Sequence, residues 1–413
     1  MNNSDDVFRT VAPGQNATYL YQIPADHPAG TFWYHPHVGG SSSLQQGGGM
    51  AGVLIVEHRD NSSSVPAALT AMKQELMLLQ HLCFHNRGKW QDSTPYLNHL
   101  NVVKYSGDKI DPDPHYLFPE QPPSYYLVNG IYQPNITMQP GEFRLFRLVG
   151  AGTSVFLELQ LLASVASQQA CDIYVIAKDG IYVDSPYADP FPLLVPGSRI
   201  DLAVRCATVG TYRLVSQPTA PYNDKLMEST AVFQGTIANL IIAGDVMTMN
   251  LPTTLPARSA YMPDLMKTPV AAANKLSFAF KTEGGPFVPG PPFPKSTINE
   301  QAFVSKDTFI ANISLNQVQE WTIGIAGDSN DGAGNHPFHM HVNPFQVVAI
   351  GTESNETLLG IRVGEYRDTL PLLAFARITI RFAPNRFTGR ALLHCHLIPH
   401  VDLGMAAVVN ITS

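Results

Sequence analysis

The rhythm of the apolar residues constrains this chain more than any other feature. They come in runs of strand length closed by turn formers, and helical periodicity is scarce. GVLIVEH, QELMLLQHL, GEFRLFRLV, FLELQLL, CDIYVIA, RIDLAVRC, TYRLVS, EWTIGIA, FQVVAI, ARITIRF and AAVVNIT either alternate or stay apolar throughout. Turns such as VNGIYQPN, LVPGSR and APNRFTGR bound most of them, drawing on 33 Pro and 31 Gly. Short strands repeated in this way describe an all-β chain of stacked sandwiches. At 413 residues the chain exceeds one core, so two or three domains are expected. A net charge of −7 gives no reason to expect nucleic acid or an anionic membrane as partner. No apolar run approaches the roughly 20 residues of a membrane span.

Two stretches read as linkers. RDNSSSVPAA (59–68) is polar, and MNLPTTLPARSAYMPDLMKTP (249–269) is Pro-rich without strand alternation. They divide the chain into a first segment 1–60, a middle segment 61–248 and a last segment 249–413. GGPFVPGPPFPK (284–295) reads as a loop inside the last. All 14 histidines fall between His27 and His115 or between His336 and His400. Any metal chemistry must therefore be built where the first and last segments meet.

HCHLIPHVDLGM is the most specific motif. A strand sends successive side chains to opposite faces, so Cys395 points one way while His394 and His396 point the other. His400 and Met405 lie five and ten residues past the cysteine, near enough for a loop to return both to its sulfur. A thiolate, imidazoles and a distant thioether suit blue copper in electron transfer. HPFHMHVNPF offers the further imidazole that a His₂Cys set needs. His339 and His341 share a face, and His336 lies beyond Pro337, which breaks regular geometry and lets it aim elsewhere. His336 is thus assigned to the cysteine's metal, and His339 and His341 join His394 and His396 on the opposite face. In FWYHPHVGG, His35 and His37 repeat the two-residue spacing. Such a pair alone is more often surface or core histidine than ligand. Taken with the others it adds two imidazoles to what is too many for one closed site, and a copper cluster is the natural occupant. Structural zinc favours closely paired cysteines, which are missing.

These motifs resemble three of the four copper motifs of the multicopper oxidases, the family of laccases and bacterial copper-efflux oxidases. PADHPAGTFWYHPH, QPGEFRLFRLVGAG, KDGIYVDSP with LVPGSRIDLAV, and EYRDTLPL fall in the family's order too. The resemblance implies tandem cupredoxin-like Greek-key sandwiches, the middle one copper-free. It implies type 1 copper on His336, Cys395 and His400, with Met405 the weak axial neighbour. His339 would bind type 2 copper, and His35, His37, His341, His394 and His396 the type 3 pair. Cys395, His394 and His396 would carry electrons to the cluster. The implied activity is a laccase-like one-electron oxidation of phenols, aromatic amines or metal ions, coupled to reduction of dioxygen to water. The implied setting is secreted or extracytoplasmic, and seven Asn-x-Ser/Thr sequons point the same way as sites for a glycoprotein.

The family's first motif, a His-Trp-His-like segment upstream of His35, is absent, so the chain resembles a member shortened at its N-terminus. Type 1 copper needs nothing from that motif, whereas the trinuclear cluster does. A copper-binding or electron-transfer protein that keeps only type 1 copper is the competing expectation. A copper nitrite reductase shares the fold but has no use for so many paired histidines. His27, in its PADHPAG turn, reads as structural. His81, Cys83 and His85 read as the first strand of the middle domain and its exit rather than a stray metal site. Asp402 reads as a solvated loop carboxylate, and Met247, Met249, Met262 and Met266 as packing residues. Cys171 and Cys206 flank one stretch of the middle segment, and pairing or two free thiols are both open.

Overall fold

The computed structural model describes residues 5–58, 64–85, 96–97, 104–106, 109–111, 124–163, 171–217, 233–282, 296–326, 335–351, 360–373 and 376–413, with the side chains of 82–124 left aside. The chain is all-β. Each of the eleven apolar runs forms a strand, because alternation buries one face and leaves the other to solvent or to a second layer.

Among the described residues, two pairs of sheets and two two-stranded hairpins, one of them 104–106 with 109–111, make up the architecture. In the middle of the chain an eight-stranded sheet runs 181–188, 172–178, 199–205, 144–150, 73–85, 124–128, 131–132, with 96–97 beside 73–85. It faces a five-stranded sheet of 193–194, 157–163, 210–216, 235–242 and 135–138. Met77, Phe146, Leu159, Leu202, Ile237 and Leu240 fill the space between them. The stretch 249–269 holds no helix or strand, as its prolines dictate. Beyond it lies a six-stranded sheet of 296–298, 275–282, 319–325, 377–382, 345–350 and 366–367. This one faces a five-stranded sheet of 309–314, 406–412, 389–395, 336–340 and 369–372. Trp321, Phe338, Phe345, Ile380 and Phe382 form their shared core.

The first segment contributes the antiparallel hairpin Gly30–Tyr34 and Gly52–Val56. Trp33, Ala51 and Val53 pack on Leu78, Val149 and Ala151 of the middle sheet. That contact covers the outer face of strand Arg144–Gly150 at Val149, while Leu69, Met72, Met249 and Leu251 cover it at Leu145, so the strand is buried along its whole length instead of alternating. It also fixes where the chain points on leaving Tyr34, immediately before His35. The loop 284–295 and the linker residues 59–63 lie outside the described residues. Cys171 and Cys206 form a disulfide that ties the ends of two neighbouring antiparallel strands. No helix among the described residues is long and apolar enough to cross a membrane.

Candidate metal centre

Cross-strand register builds the site. Strands His336–Met340 and Gly389–Cys395 are antiparallel neighbours, with Phe338 opposite Cys395 and His339 opposite His394. Partners in register share a face, so Cys395 joins the core face with Phe338 while His394 joins His339 on the other. His336 is two residues from Phe338 and therefore lies on the cysteine's face. The strand runs unbroken through Pro337, which sits opposite Pro371. Simple alternation over an odd spacing, rather than a break at Pro337, sends His336 away from His339.

On the core face, Nδ1 of His336 lies 3.4 Å and Nδ1 of His400 3.7 Å from the Cys395 sulfur, and the two nitrogens are 3.1 Å apart. The short helix Ile398–Asp402 returns His400 to this point. The Leu397 N–H donates to the sulfur at 3.3 Å. Met405 is fully buried in the same core, and its carbonyl accepts the Cys395 N–H. Burial drives the Cys395 thiol well up and pulls His336 well down and His400 to about 4.

On the opposite face six imidazoles converge. His394 Nε2 stands 3.2 Å from His37 Nε2 and 3.1 Å from His341 Nε2. His339 lies 5.3 Å from His394 and 5.6 Å from His396, centroid to centroid, and His35 lies 5.0 Å from His396. The outer nitrogens of four of these rings are committed. His394 Nδ1 faces the Cys395 carbonyl, His339 Nδ1 the Asp368 carbonyl and His35 Nδ1 the Pro36 carbonyl, at 2.8, 2.9 and 3.0 Å. A carbonyl only accepts, so each Nδ1 carries the proton and each Nε2 a lone pair. His341 Nδ1 likewise donates to Asp5 Oδ2 at 3.2 Å. Burial, reinforced by the neighbouring imidazoles, lowers His37, His394 and His396 well below the usual range and His35 to about 3.

This arrangement fits a bound cation. The His341 and His394 lone pairs meet at 3.1 Å and would repel with nothing between them. Protonation of His394, the other remedy, is opposed by its burial. Outer N–H groups held by carbonyls or carboxylates are how metal-binding imidazoles are oriented. A buried His₂Cys set with a nearby methionine is the donor set of a blue-copper site. Three-residue groups able to hold a metal occur twice among the described residues, His336/Cys395/His400 and His37/His341/His394.

Two carboxylates have roles that the sequence hid. Asp5, in no recognisable motif, reaches His341 from the start of the chain. Desolvation would raise its carboxyl, yet the charge and hydrogen bond of His341, with His37 and His339 behind it, hold it at about 2. Asp402 is not a freely solvated loop carboxylate. Its oxygens accept the Gly40 and Ser43 N–H groups at 2.8 and 2.9 Å. Those amides lie at the start of the helix Ser42–Gly47, where the first N–H groups have no partner within the helix.

The remaining candidates stand apart from the site. His27 bonds the Pro28 carbonyl and packs edge-on against Phe32. His81 is buried and stacked on Tyr126, and the side chains of Cys83 and His85 lie outside the described residues. Met249 and Met262 pack into two separate clusters, while Met247 is exposed.

Family models described as multicopper oxidase match residues 6–61 and 275–413. A laccase of Bacillus stratosphericus is 23% identical over 95% of this chain and 73% of its own length. Laccase-8 of Oryza sativa subsp. japonica is 23% identical over 97% and 78%. The multi-copper oxidase of Pseudomonas thermotolerans has the same fold, with a TM-score of 0.69 at 21% identity, over 100% of this chain and 83% of that one. A multicopper oxidase from Campylobacter jejuni, described as a metallo-oxidase, follows at 0.67 and 19%, over 96% and 74%. With its cupredoxin-like sheets, paired His-x-His segments and thiolate site, the chain belongs to the multicopper oxidases, copper-binding oxidoreductases that use oxygen.

Proposed function

We propose that this chain is a laccase-like oxidase that takes single electrons from phenols, aromatic amines or low-valent metal ions and delivers them to dioxygen. One observation supports the reading: the adjacent residues His394 and Cys395 belong to two groups able to hold a metal on opposite faces of one strand, with His396 next in the chain and beside His35 and His339. In this reading His336, Cys395 and His400 would hold type 1 copper, with Met405 buried nearby as a weak thioether donor. His339 holds type 2 copper, and His35, His37, His341, His394 and His396 hold the type 3 pair. Copper, when bound, supplies one-electron redox chemistry and the joint capacity to reduce dioxygen to water with four electrons and four protons.

The chain's own residues do the rest. His400 is half-buried and gives a reductant an edge to approach, whereas Cys395 is sealed from solvent. The Cys395 backbone joins the sulfur to both flanking imidazoles through covalent bonds and the 2.8 Å hydrogen bond from His394 to the Cys395 carbonyl. Asp5, Asp368 and the Pro36 carbonyl hold the imidazoles of His341, His339 and His35 in the tautomer that binds metal. Oxidation of metal ions rests on the Campylobacter jejuni relative's description and on nothing special in this chain's methionines. An extracytoplasmic setting is supported by the Cys171–Cys206 disulfide, since such bonds persist in oxidising compartments.

The test is bleaching and recovery. Copper-loaded protein is reduced with a phenol under nitrogen until its blue band disappears, and air is then admitted. Rapid return of the colour supports the oxidase. A band that bleaches and stays bleached leaves an electron carrier with a single working copper.

A further inference from the structure

The middle segment has no histidine between His115 and His336, yet its turn Val195–Arg199 touches His396 of the last segment and the strand that leads to His35 in the first. Arg199 is fully enclosed, and all five of its N–H donors are used. Nε reaches the Thr31 carbonyl at 3.3 Å, in the strand that leads to His35. Nη1 and Nη2 reach the Gly197 and Asp179 carbonyls, each at 3.0 Å. The same two nitrogens form a fork on Asp368, at 2.8 Å to Oδ1 and 2.6 Å to Oδ2. Asp368 holds His339 through its carbonyl, and its Oδ1 accepts the Thr369 hydroxyl, whose oxygen lies 3.1 Å from His339 Nδ1. Asp179 completes the clamp: one carboxylate oxygen accepts the Thr369 N–H at 3.1 Å and the Arg367 Nε–H at 3.2 Å. Gly197, at φ +87°, lies against the ring of His396, where an added Cβ would stand 2.4 Å from Cδ2.

We propose that Arg199 and Gly197 are positioning residues for the histidine cluster, so that a middle domain contributing no imidazole sets the spacing between the ligands of the first and last. The inference rests on the copper-cluster reading. One planar guanidinium joins Thr31 of the first segment, Gly197 and Asp179 of the middle and Asp368 of the last. A shift of the middle domain therefore moves His339 and the His35/His37 pair relative to each other. Lysine keeps the charge and loses the fork. Gly197 leaves no room between the turn and the His396 imidazole, so any side chain there displaces a ring on which the cluster depends.

The test is copper affinity, measured on the full chain by competition with a chelator. Electron paramagnetic resonance counts type 1 and type 2 copper separately. Arg199→Lys is expected to weaken copper at the cluster about 10- to 100-fold, the usual cost of losing a residue that orients a ligand, and to alter the type 2 signal while type 1 copper keeps its spectrum. Gly197→Ala, pressing directly on His396, is expected to weaken the cluster again without touching type 1. If Arg199→Lys lowers only the melting temperature and both copper populations keep their affinity and spectra, Arg199 is a structural clamp and the proposal is overturned. If Arg199→Lys does not fold, Asp368→Asn, which keeps the carbonyl on His339 but loses a charged oxygen, is judged by the same criterion. A wild-type protein with type 1 copper and no cluster copper would sink the underlying reading and the proposal with it.

Discussion

Opening the Cys171–Cys206 disulfide by replacing both residues with alanine tests how the middle domain is held together. The bridge closes 35 residues and ties the start of strand Asp172–Lys178 to the residue after strand Arg199–Arg205. Chain-entropy bookkeeping for a loop of that length gives about 3.8 kcal/mol at 25 °C, lost when the unfolded chain is released. Both cysteines are buried in the middle core, so the missing sulfurs add a packing cost of the same sign. Hydrogen exchange read by mass spectrometry measures the opening free energy of the two strands directly. The expected result is a fall of about 4 kcal/mol in 172–178 and 199–205, with 319–325 and 377–382 of the last domain unchanged. Arg199 lies at the far end of its strand from Cys206, and below the unfolding range the copper spectra should stay as they are. A fall under about 1 kcal/mol would refute the entropic reasoning.

Cys395→Ser should abolish the blue absorption and leave copper on the histidine cluster, read as metal content and paramagnetic resonance. Asp402→Ala frees the Gly40 and Ser43 amides and unties the His400 loop from the first segment. A loss of about 2 kcal/mol in thermal or denaturant unfolding is expected, since hydrogen bonds to a charged group are among the stronger ones. The metal-free protein should lose stability in acid. His400 titrates near 6.5 when unfolded and about 4 when folded, so between those values the unfolded chain binds the extra proton. Stability is then full above about pH 6.5 and falls as pH drops toward 4, with His35 extending the loss toward 3. Copper occupies the same nitrogens, so unfolding midpoints of the loaded protein should move less over that range.

The fold was legible because alternation is a local signal. Every apolar run quoted from the sequence is a strand, and the Pro-rich stretch 249–269 is irregular as its composition requires. The convergence of the histidines was legible for the same reason. A spacing of two keeps His339 with His341 and His394 with His396, and an odd spacing separates His394 from Cys395. His336 shows the limit of such reading, since it does lie beside Cys395 while its separation from His339 owes nothing to Pro337. What the sequence concealed are long-range pairings. The join between Cys171 and Cys206 depends on two strands being neighbours, and so do Asp5 beside His341 and Arg199 on Asp368. Arg199 did leave a trace, as a charge opening the otherwise apolar strand RIDLAV next to a turn. A buried arginine needs a partner, and here the partner lies 169 residues away.

Oxygen uptake by the copper-loaded chain, with an easily oxidised phenol and peroxide assayed in parallel, tests the central claim most directly. Sustained uptake without peroxide is the predicted result, because it requires both the thiolate site and the histidine cluster to work. A blue protein that is reduced by the phenol yet consumes no oxygen would contradict it.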